Sequence, residues 1–348
     1  MTGRDLQVRL EPAGTTFSVR PGEAVLNAAL RQGHALRYGC RHGNCSTCKY
    51  LLLEGDVDFG VASPYSLSET EREQGWALLC CAEPLGDLVI EDEVAADDKA
   101  FPVLVPQERL AIVTEARPAG GPLWRLRVRL DQPLTFYAGQ FVELGVRGQA
   151  GTWRSYSIAS PPSRADELEF VIKQIPTGAF SGSLDEQMVG ASLRLRGPYG
   201  DSYLREGPNS VLLVAVGSGI APVLSMLRHA AESGDERSFI VVYGARDDSG
   251  LAVLDPLREL ESSLTLAVKP ALSMPTVGGG WTGRVGRVIQ VVQREVEDAS
   301  GLDAYLCGVP AMCDSMGLLL DAKGIREGAV HFDRFYPASE ELSLVGGR

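Results

Sequence analysis

Cys40-Arg-His-Gly-Asn-Cys45-Ser-Thr-Cys48 places three cysteines in one nine-residue loop at the spacing C-x4-C-x2-C, and a further cysteine follows 32 positions later at Cys80. Four thiolates at this spacing suit a 2Fe–2S cluster. Gly39 and Gly43 let the backbone wrap closely around an inorganic core and turn N–H groups toward its sulfurs. The alternative is structural zinc, because C-x2-C is common in zinc ribbons. Such sites pair two short knuckles, whereas here three ligands share one loop, so the spacing favours iron–sulfur. His42 sits inside the loop, but a Rieske centre needs two histidines on one iron, and His34 lies outside it. His42 therefore reads as a solvated loop residue.

Around this loop the first third carries short alternating strands at 6–10, 15–19 and 88–90. One helix is expected over 23–32, with Val25, Leu26, Ala29 and Leu30 on one face. The middle third alternates apolar and polar residues at 123–130, with further strands at 140–144 and 169–173 separated by Pro/Gly turns, which predicts a small antiparallel barrel. The last third runs strand, helix, strand, helix from 211–216 through 223–231, 239–243 and 251–260. That rhythm predicts a parallel sheet covered on both faces.

Two segments read as linkers: an acidic run at 91–99 and a turn-rich stretch at 205–210. They divide the 348 residues into 1–98, 99–206 and 207–348, and the formal charge is −7 over residues 1–100, +1 over 101–206 and −6 over 207–348. Hydrophobic residues make up 45% and charged residues 22%, an ordinary globular composition. The net charge of −12, without a basic stripe, argues against nucleic-acid binding. No run of 18 apolar residues exists, so no membrane helix is expected. Residues 1–10 lack the apolar core of a signal peptide, so a cytoplasmic location is expected. Seven cysteines, five of them between Cys40 and Cys81, read as metal or redox chemistry and not as a disulfide framework.

In the middle third, Trp153-Arg154-Ser155-Tyr156-Ser157 resembles the R-x-Y-S signature of the ferredoxin-NADP reductase superfamily. Its chemistry suits FAD: Arg154 for the pyrophosphate, Tyr156 as an aromatic wall, Ser157 as a hydroxyl near the reactive ring nitrogen. Tyr137-Ala-Gly-Gln-Phe141 resembles the family's GQ[FY] strand entry. Val171-Ile-Lys173 and Gly178-Ala-Phe-Ser181 resemble its second flavin strand and a helix start whose N–H groups receive phosphate charge. Gly197-Pro-Tyr-Gly200 follows in the family's order. Further on, a buried strand enters Gly217-Ser-Gly219-Ile-Ala221-Pro222. Its glycines permit close approach to a dinucleotide, and Pro222 suits a first helical turn. Tyr305-Leu-Cys307-Gly308-Val-Pro310-Ala-Met312 resembles the family's CGxPxM turn, which sets Cys307 beside the nicotinamide. Cys313 reads as core.

The whole chain, about residues 5–338, resembles the reductase components of multicomponent bacterial oxygenases. The tail His331-Phe-Asp-Arg-Phe335-Tyr-Pro337-Ala resembles those of soluble di-iron monooxygenases. The resemblance implies a β-grasp ferredoxin domain, an antiparallel β-barrel FAD domain and an α/β nicotinamide domain, a multidomain α+β and α/β chain. It also implies that Cys80 is the fourth ligand, because Pro84 and Asp87 follow it at the ferredoxin spacings, and Cys81 then has no ligand duty. Hydride from NADH would pass to FAD, and single electrons through the cluster to a di-iron hydroxylase. Ser157 and Cys307 would frame the hydride path. Phe335 is a candidate for the ring that covers the flavin face, or an ordinary core residue of the last strand. Arg246 and Asp247, with Asp248, should lie at the adenosine ribose and favour NADH over NADPH. Reductases of Rieske dioxygenases and deoxysugar-forming reductases share the architecture, and a redox-sensing protein without turnover is a third reading.

Overall fold

The computed structural model describes residues 4–34, 36–39, 41, 43, 46–92, 102, 104–146 and 153–336. The chain divides into two compact units, Gln107–Phe335 and a second formed by Met1–Pro106 with Tyr336–Arg348. The expected boundary at 98/99 falls outside the described residues.

In the N-terminal unit, alternation decides the strands. Val8 and Leu10 are buried beside outward-facing Gln7 and Arg9, and on the neighbouring strand Phe17, opposite Val8, and Val19, opposite Leu6, are buried too. The resulting five-stranded sheet has the order Thr15–Val19, Leu6–Glu11, Leu88–Glu91, Lys49–Glu54, Trp76–Leu78. Leu6–Glu11 and Leu88–Glu91 run parallel, and the other neighbours antiparallel. The helix is Val25–Arg31, shorter than expected, and buries Val25, Leu26, Ala28, Ala29 and Leu30. Glu23 stays outside it because its carboxylate accepts from the Arg20 amide at 3.0 Å and from Arg31 at 2.8 Å. A short second helix, Glu69–Glu73, starts on a capping box made by Ser68 and Glu71.

Gln107–Phe335 holds two sheets. The antiparallel one has the order Trp153–Ser157, Phe141–Val146, Ser192–Tyr199, Gln107–Gly120, Leu123–Leu130, Glu167–Lys173. A bridge between Ile158 and Phe170 joins its two ends, closing the barrel. Leu126, Val128, Phe170 and Phe180 fill the interior. The parallel sheet has the order Arg284–Val285, Thr265–Leu272, Ser238–Ala245, Ser210–Val216, Leu302–Gly308, Val330–Arg334. Its first strand in the chain, Ser210–Val216, lies in the middle, so the order reverses there and opens a crevice at the strands' C-terminal ends. Val211, Leu213 and Ala215 face the helix Ile220–Ser233, while Leu212 and Val214 face Val288–Glu295 and Pro310–Ala322. The expected helix over 251–260 is two pieces, a 3-10 helix Asp248–Leu254 and an α-helix Asp255–Leu260. Asp247 caps the first piece, and Pro256 in the first turn of the second starts the helix afresh.

The two sheets share one apolar core. Leu123, Ala138, Ala159 and Val171 of the barrel pack with Ala221, Leu224 and Leu227 of the helix Ile220–Ser233. Polar contacts fasten the seam: the Ser225 hydroxyl donates to the Ser160 carbonyl at 2.8 Å, and Arg228 donates to the Ala159 carbonyl at 2.8 Å. Arg228 also meets buried Glu169 at 3.2 Å. Burial pushes the Glu169 carboxyl up, but Arg228, Arg125 and Arg127 outweigh it and hold the group below its ordinary value. Among the described residues no helix is long and apolar enough to cross a membrane.

Candidate functional site

Cys40, Cys45 and His42 lie outside the described residues. Around them Arg41 and Ser46 adopt φ of 62° and 60°, and Gly43 adopts 75°, a left-handed curl that non-glycine residues rarely enter. The Gly43 carbonyl accepts from the Ser63 amide at 3.1 Å, and the Ser46 hydroxyl donates to the Ser66 carbonyl at 2.9 Å, tying the loop to its neighbour. Cys48 is buried at the loop's end, and its carbonyl accepts from the Leu79 amide at 2.9 Å. The turn bearing Cys80 and Cys81 is held from its other side. The Val25 and Leu26 amides, orphan donors of a helix first turn, bond the Ala82 and Leu79 carbonyls at 2.9 Å each. Cys80 exchanges a side-chain hydrogen bond with Cys48 and accepts from the Gly43 amide. Its sulfur lies 3.6 Å from that of Cys81. Among the described residues no three His, Cys, Asp or Glu side chains form a metal-holding group. Buried thiols and a backbone amide aimed at one of them are nonetheless the donor set of an iron–sulfur site.

In the barrel, Ser157 stands opposite Phe141 and Arg154 opposite Leu144. Arg154 donates to its neighbour's carbonyl, that of Trp153, at 2.7 Å. Tyr156 packs on Phe180 with ring centroids 5.2 Å apart and hydrogen-bonds Ser181. Lys173 is exposed at its strand end, whereas Val171 is buried in the core shared with the parallel sheet. Only Val171's backbone can therefore face a cofactor. The expected helix start after Gly178 is a single 3-10 turn, Ser181–Ser183. A Cβ on Gly178 would meet the Ser181 hydroxyl at 2.4 Å, so glycine is needed there for that hydroxyl to fold back. The Gly182 amide is already used by the Gly178 carbonyl at 2.9 Å, which leaves fewer free N–H groups than an α-helix would offer.

At the crevice, Gly217 has φ of 55°, and its carbonyl accepts from the Tyr243 hydroxyl at 3.3 Å. A Cβ on Gly219 would stand 2.2 Å from the Cys307 carbonyl oxygen, so the two turns touch only because position 219 has no side chain. Ala221 and Pro222 are buried in the first turn of Ile220–Ser233. Cys307 is fully buried, and burial first, then the charge of Asp333, hold its thiol well above the usual range. It is a neutral thiol. Gly308 has φ of 148°, and its carbonyl accepts from the Phe335 amide at 2.8 Å. Phe335 thus lies just beyond the last strand, half-buried beside the Cys307-Gly308 turn. Cys313 is buried and its thiol donates to the Leu306 carbonyl at 3.4 Å, a core position.

Asp333 was not expected to matter. It pairs with Cys307 in register on the adjacent strand, and it accepts from the Ser157 hydroxyl at 3.1 Å. Part of the residue is open to solvent, but its carboxyl is enclosed, and burial pushes it up to about 7 against the pull of the Ser157 bond. Its only signal in the sequence is an acid directly after Phe332 in the short last strand Val330–Arg334.

The ribose candidates have local duties. Arg246 is exposed. The Asp247 carboxylate accepts from the Ser249 amide at 3.1 Å and hydroxyl at 2.5 Å, and Asp248 accepts from the Thr276 amide at 2.8 Å. Each carboxylate has lone pairs to spare beside Arg246.

Residues 8–85 match the family model of the 2Fe-2S iron-sulfur cluster binding domain, 118–203 that of the oxidoreductase FAD-binding domain, and 213–317 that of the oxidoreductase NAD-binding domain. The chain is 36% identical over 337 residues to the reductase component of phenol 2-monooxygenase from a Pseudomonas species, covering 96% of this chain and 95% of the relative. It is 34% identical over 337 residues to the reductase component of propane 2-monooxygenase from Mycolicibacterium smegmatis, covering 94% and 97%. Among solved structures it resembles an Amycolatopsis cytochrome P-450 reductase, with a TM-score of 0.84 at 28% identity over 96% of this chain and 99% of the other.

Proposed function

The chain belongs to the reductase components of multicomponent monooxygenases, and from that premise we propose that it serves a di-iron hydroxylase in the cytoplasm, where NADH is available. It is an NADH oxidoreductase with FAD-binding, NAD-binding and 2Fe–2S domains that feeds electrons to an oxygenase component. Bound FAD supplies the step between the two-electron hydride of NADH and the single electrons a 2Fe–2S cluster carries.

Cys40, Cys45, Cys48 and Cys80 would hold the cluster. Arg154 would pair with the flavin pyrophosphate, and Tyr156 would wall the ring. The strand Val171–Lys173 and the turn from Gly178 to Ser181 would offer backbone and hydroxyl groups. Gly217, Gly219, Ala221 and Pro222 would admit the nicotinamide dinucleotide, with Arg246 and Asp247 at its ribose. Ser157 and the neutral Cys307 would frame the reacting rings, and Phe335 would cover the flavin face when nicotinamide is away. Gly308 turns the chain so that Phe335 can reach that place.

One observation carries the reading: Ser157 of the flavin wall bonds Asp333, which lies in register with Cys307 at the crevice of the parallel sheet. The di-iron assignment draws on likeness to phenol and propane monooxygenase reductases and on the sequence of the tail at 331–338. The test is NADH consumption by the purified reductase with a phenol-type or propane-type di-iron hydroxylase, against a Rieske dioxygenase. Acceleration by the di-iron proteins is expected, and acceleration by the Rieske protein alone would refute the assignment.

A further inference from the structure

Cys81 follows the fourth ligand directly, and its sulfur has a place that an incidental thiol need not have. It lies 3.6 Å from the Cys80 sulfur. A tetrahedral metal with thiolates at about 2.3 Å holds two of them about 3.8 Å apart, so the pair is already at ligand spacing. The second observation comes from the other side. A Cβ on Gly43 would stand 2.7 Å from the Cys81 sulfur, so this thiol presses against the backbone of the cluster loop and not into the sheet core. Gly43 also gives its amide to Cys80. Cys80 and Cys81 therefore converge on the same stretch of loop from one rigid turn.

We propose that Cys81 is a reserve ligand for the iron held by Cys48 and Cys80. When Cys80 lets go, the Cys81 thiol replaces it by ligand exchange. The iron–sulfur bond to Cys80 breaks and one to Cys81 forms, while the proton released by the Cys81 thiol passes to the departing Cys80 thiolate. No electron changes hands, so no oxidant or reductant is needed. The move required is short, of the order of a rotation about the Cα–Cβ bond of Cys81. Because both backbone anchors of the turn, the Leu79 and Ala82 carbonyls, are bonded to the helix at Val25 and Leu26, the exchange leaves the fold undisturbed.

This inference rests on Cys80 being the resident ligand, and the experiment separates the two claims. The full chain carrying C80A is purified without oxygen and compared with wild type and with C80A/C81A for iron, acid-labile sulfide, flavin, and the electron paramagnetic resonance of the reduced cluster. Wild-type protein without a cluster would refute the iron–sulfur reading itself. A C80A spectrum identical to wild type would refute Cys80 as the resident ligand. With Cys80 resident, C80A keeps iron and sulfide near the wild-type ratio with shifted g values, and C80A/C81A falls to background. Loss of the cluster in C80A with flavin retained would overturn the reserve role. If alanine at 80 costs the whole fold, C80S and C80S/C81S decide. Distinct spectra support exchange to Cys81, and identical spectra, meaning oxygen ligation by the new serine in both, overturn it.

Discussion

Ser157 and Asp333 stand 176 positions apart in the chain, and the serine hydroxyl donates to the carboxylate over 3.1 Å. The serine closes the barrel strand Trp153–Ser157, and the aspartate sits on the last strand of the parallel sheet. Burial pushes the Asp333 carboxyl up to about 7, so near neutrality this one bond has two states. Ionised Asp333 holds the Ser157 proton. Protonated Asp333 can donate instead and free the hydroxyl.

Flavin reduction by NADH should therefore carry an inflection near pH 7 that D333N abolishes. S157A should slow reduction on the order of tenfold, a modest effect on the scale of positioned proton-holding groups, without loss of bound flavin. Stopped-flow absorbance between pH 5.5 and 8.5 checks both. An inflection that persists in D333N would assign it to another group.

The same carboxyl makes stability depend on pH. Its folded value is raised from 3.8 to about 7, so between those limits the native state keeps a proton that the unfolded chain has lost. Stability contributed by the neutral acid is present below about pH 4 and declines as pH rises through about 7. D333N lacks this dependence. Its Tm should exceed that of wild type at pH 8, with the difference shrinking toward pH 4.5 in thermal unfolding. A constant difference would contradict the account.

Position 219 has no room for a methyl group, because a Cβ would lie 2.2 Å from the Cys307 oxygen. G219A should raise KM for NADH several-fold and destabilise the protein by about 1–3 kcal/mol, as overpacking does. G301A, where nothing lies within 4 Å, is the control and should change neither. Equal behaviour of the two variants would mean that the turn at 217–219 gives way freely.

A chain beginning at residue 99 should fold, bind FAD and reduce ferricyanide with NADH, but reduce cytochrome c poorly because the single-electron exit is gone. The grounds are that Gln107–Phe335 is compact by itself and holds both the barrel and the parallel sheet. Flavin content and the two acceptor assays decide it. A soluble fragment without flavin would place part of the flavin site before residue 99.

NADH should be preferred over NADPH in kcat/KM. Asp247 and Asp248 follow the single cation Arg246 at the turn after Ser238–Ala245, and a 2′-phosphate there would meet repulsion. The double change D247S/D248K should narrow the preference. Serine can still cap the 3-10 helix Asp248–Leu254, while lysine at 248 leaves the Thr276 amide without that acceptor, so thermal unfolding of the variant is measured beside its kinetics. NADPH equal to NADH in the unaltered protein would refute the role of this turn.

What could be read from the sequence was local. The C-x4-C-x2-C spacing, the apolar run 211–216 and the glycines at 217 and 219 each carry their meaning within a few residues, and the run and the glycines do form a strand, Ser210–Val216, entering the helix Ile220–Ser233. Asp333 escaped because its significance depends on a serine half the chain away. Val171 looked like a cofactor-facing position from its strand, yet the outer face of that strand is covered by the helix Ile220–Ser233. Periodicity tells which residues share a face and cannot tell what covers it. The turn at Ser181 resembled a helix start because a glycine and a serine at that spacing suit either an α-helix or one 3-10 turn.

The shared apolar seam of Ala159 and Val171 with Ala221 and Leu224 has a consequence for heredity. A recombination breakpoint near residue 206 would join a barrel shaped for one partner to a helix shaped for another, leaving unmatched apolar surfaces and a Glu169 that keeps Arg125 and Arg127 but loses Arg228. Chimaeras that exchange Ala159 and Val171 should bring Ala221, Leu224 and Arg228 with them, so the flavin and nicotinamide portions are expected to be exchangeable only as one block.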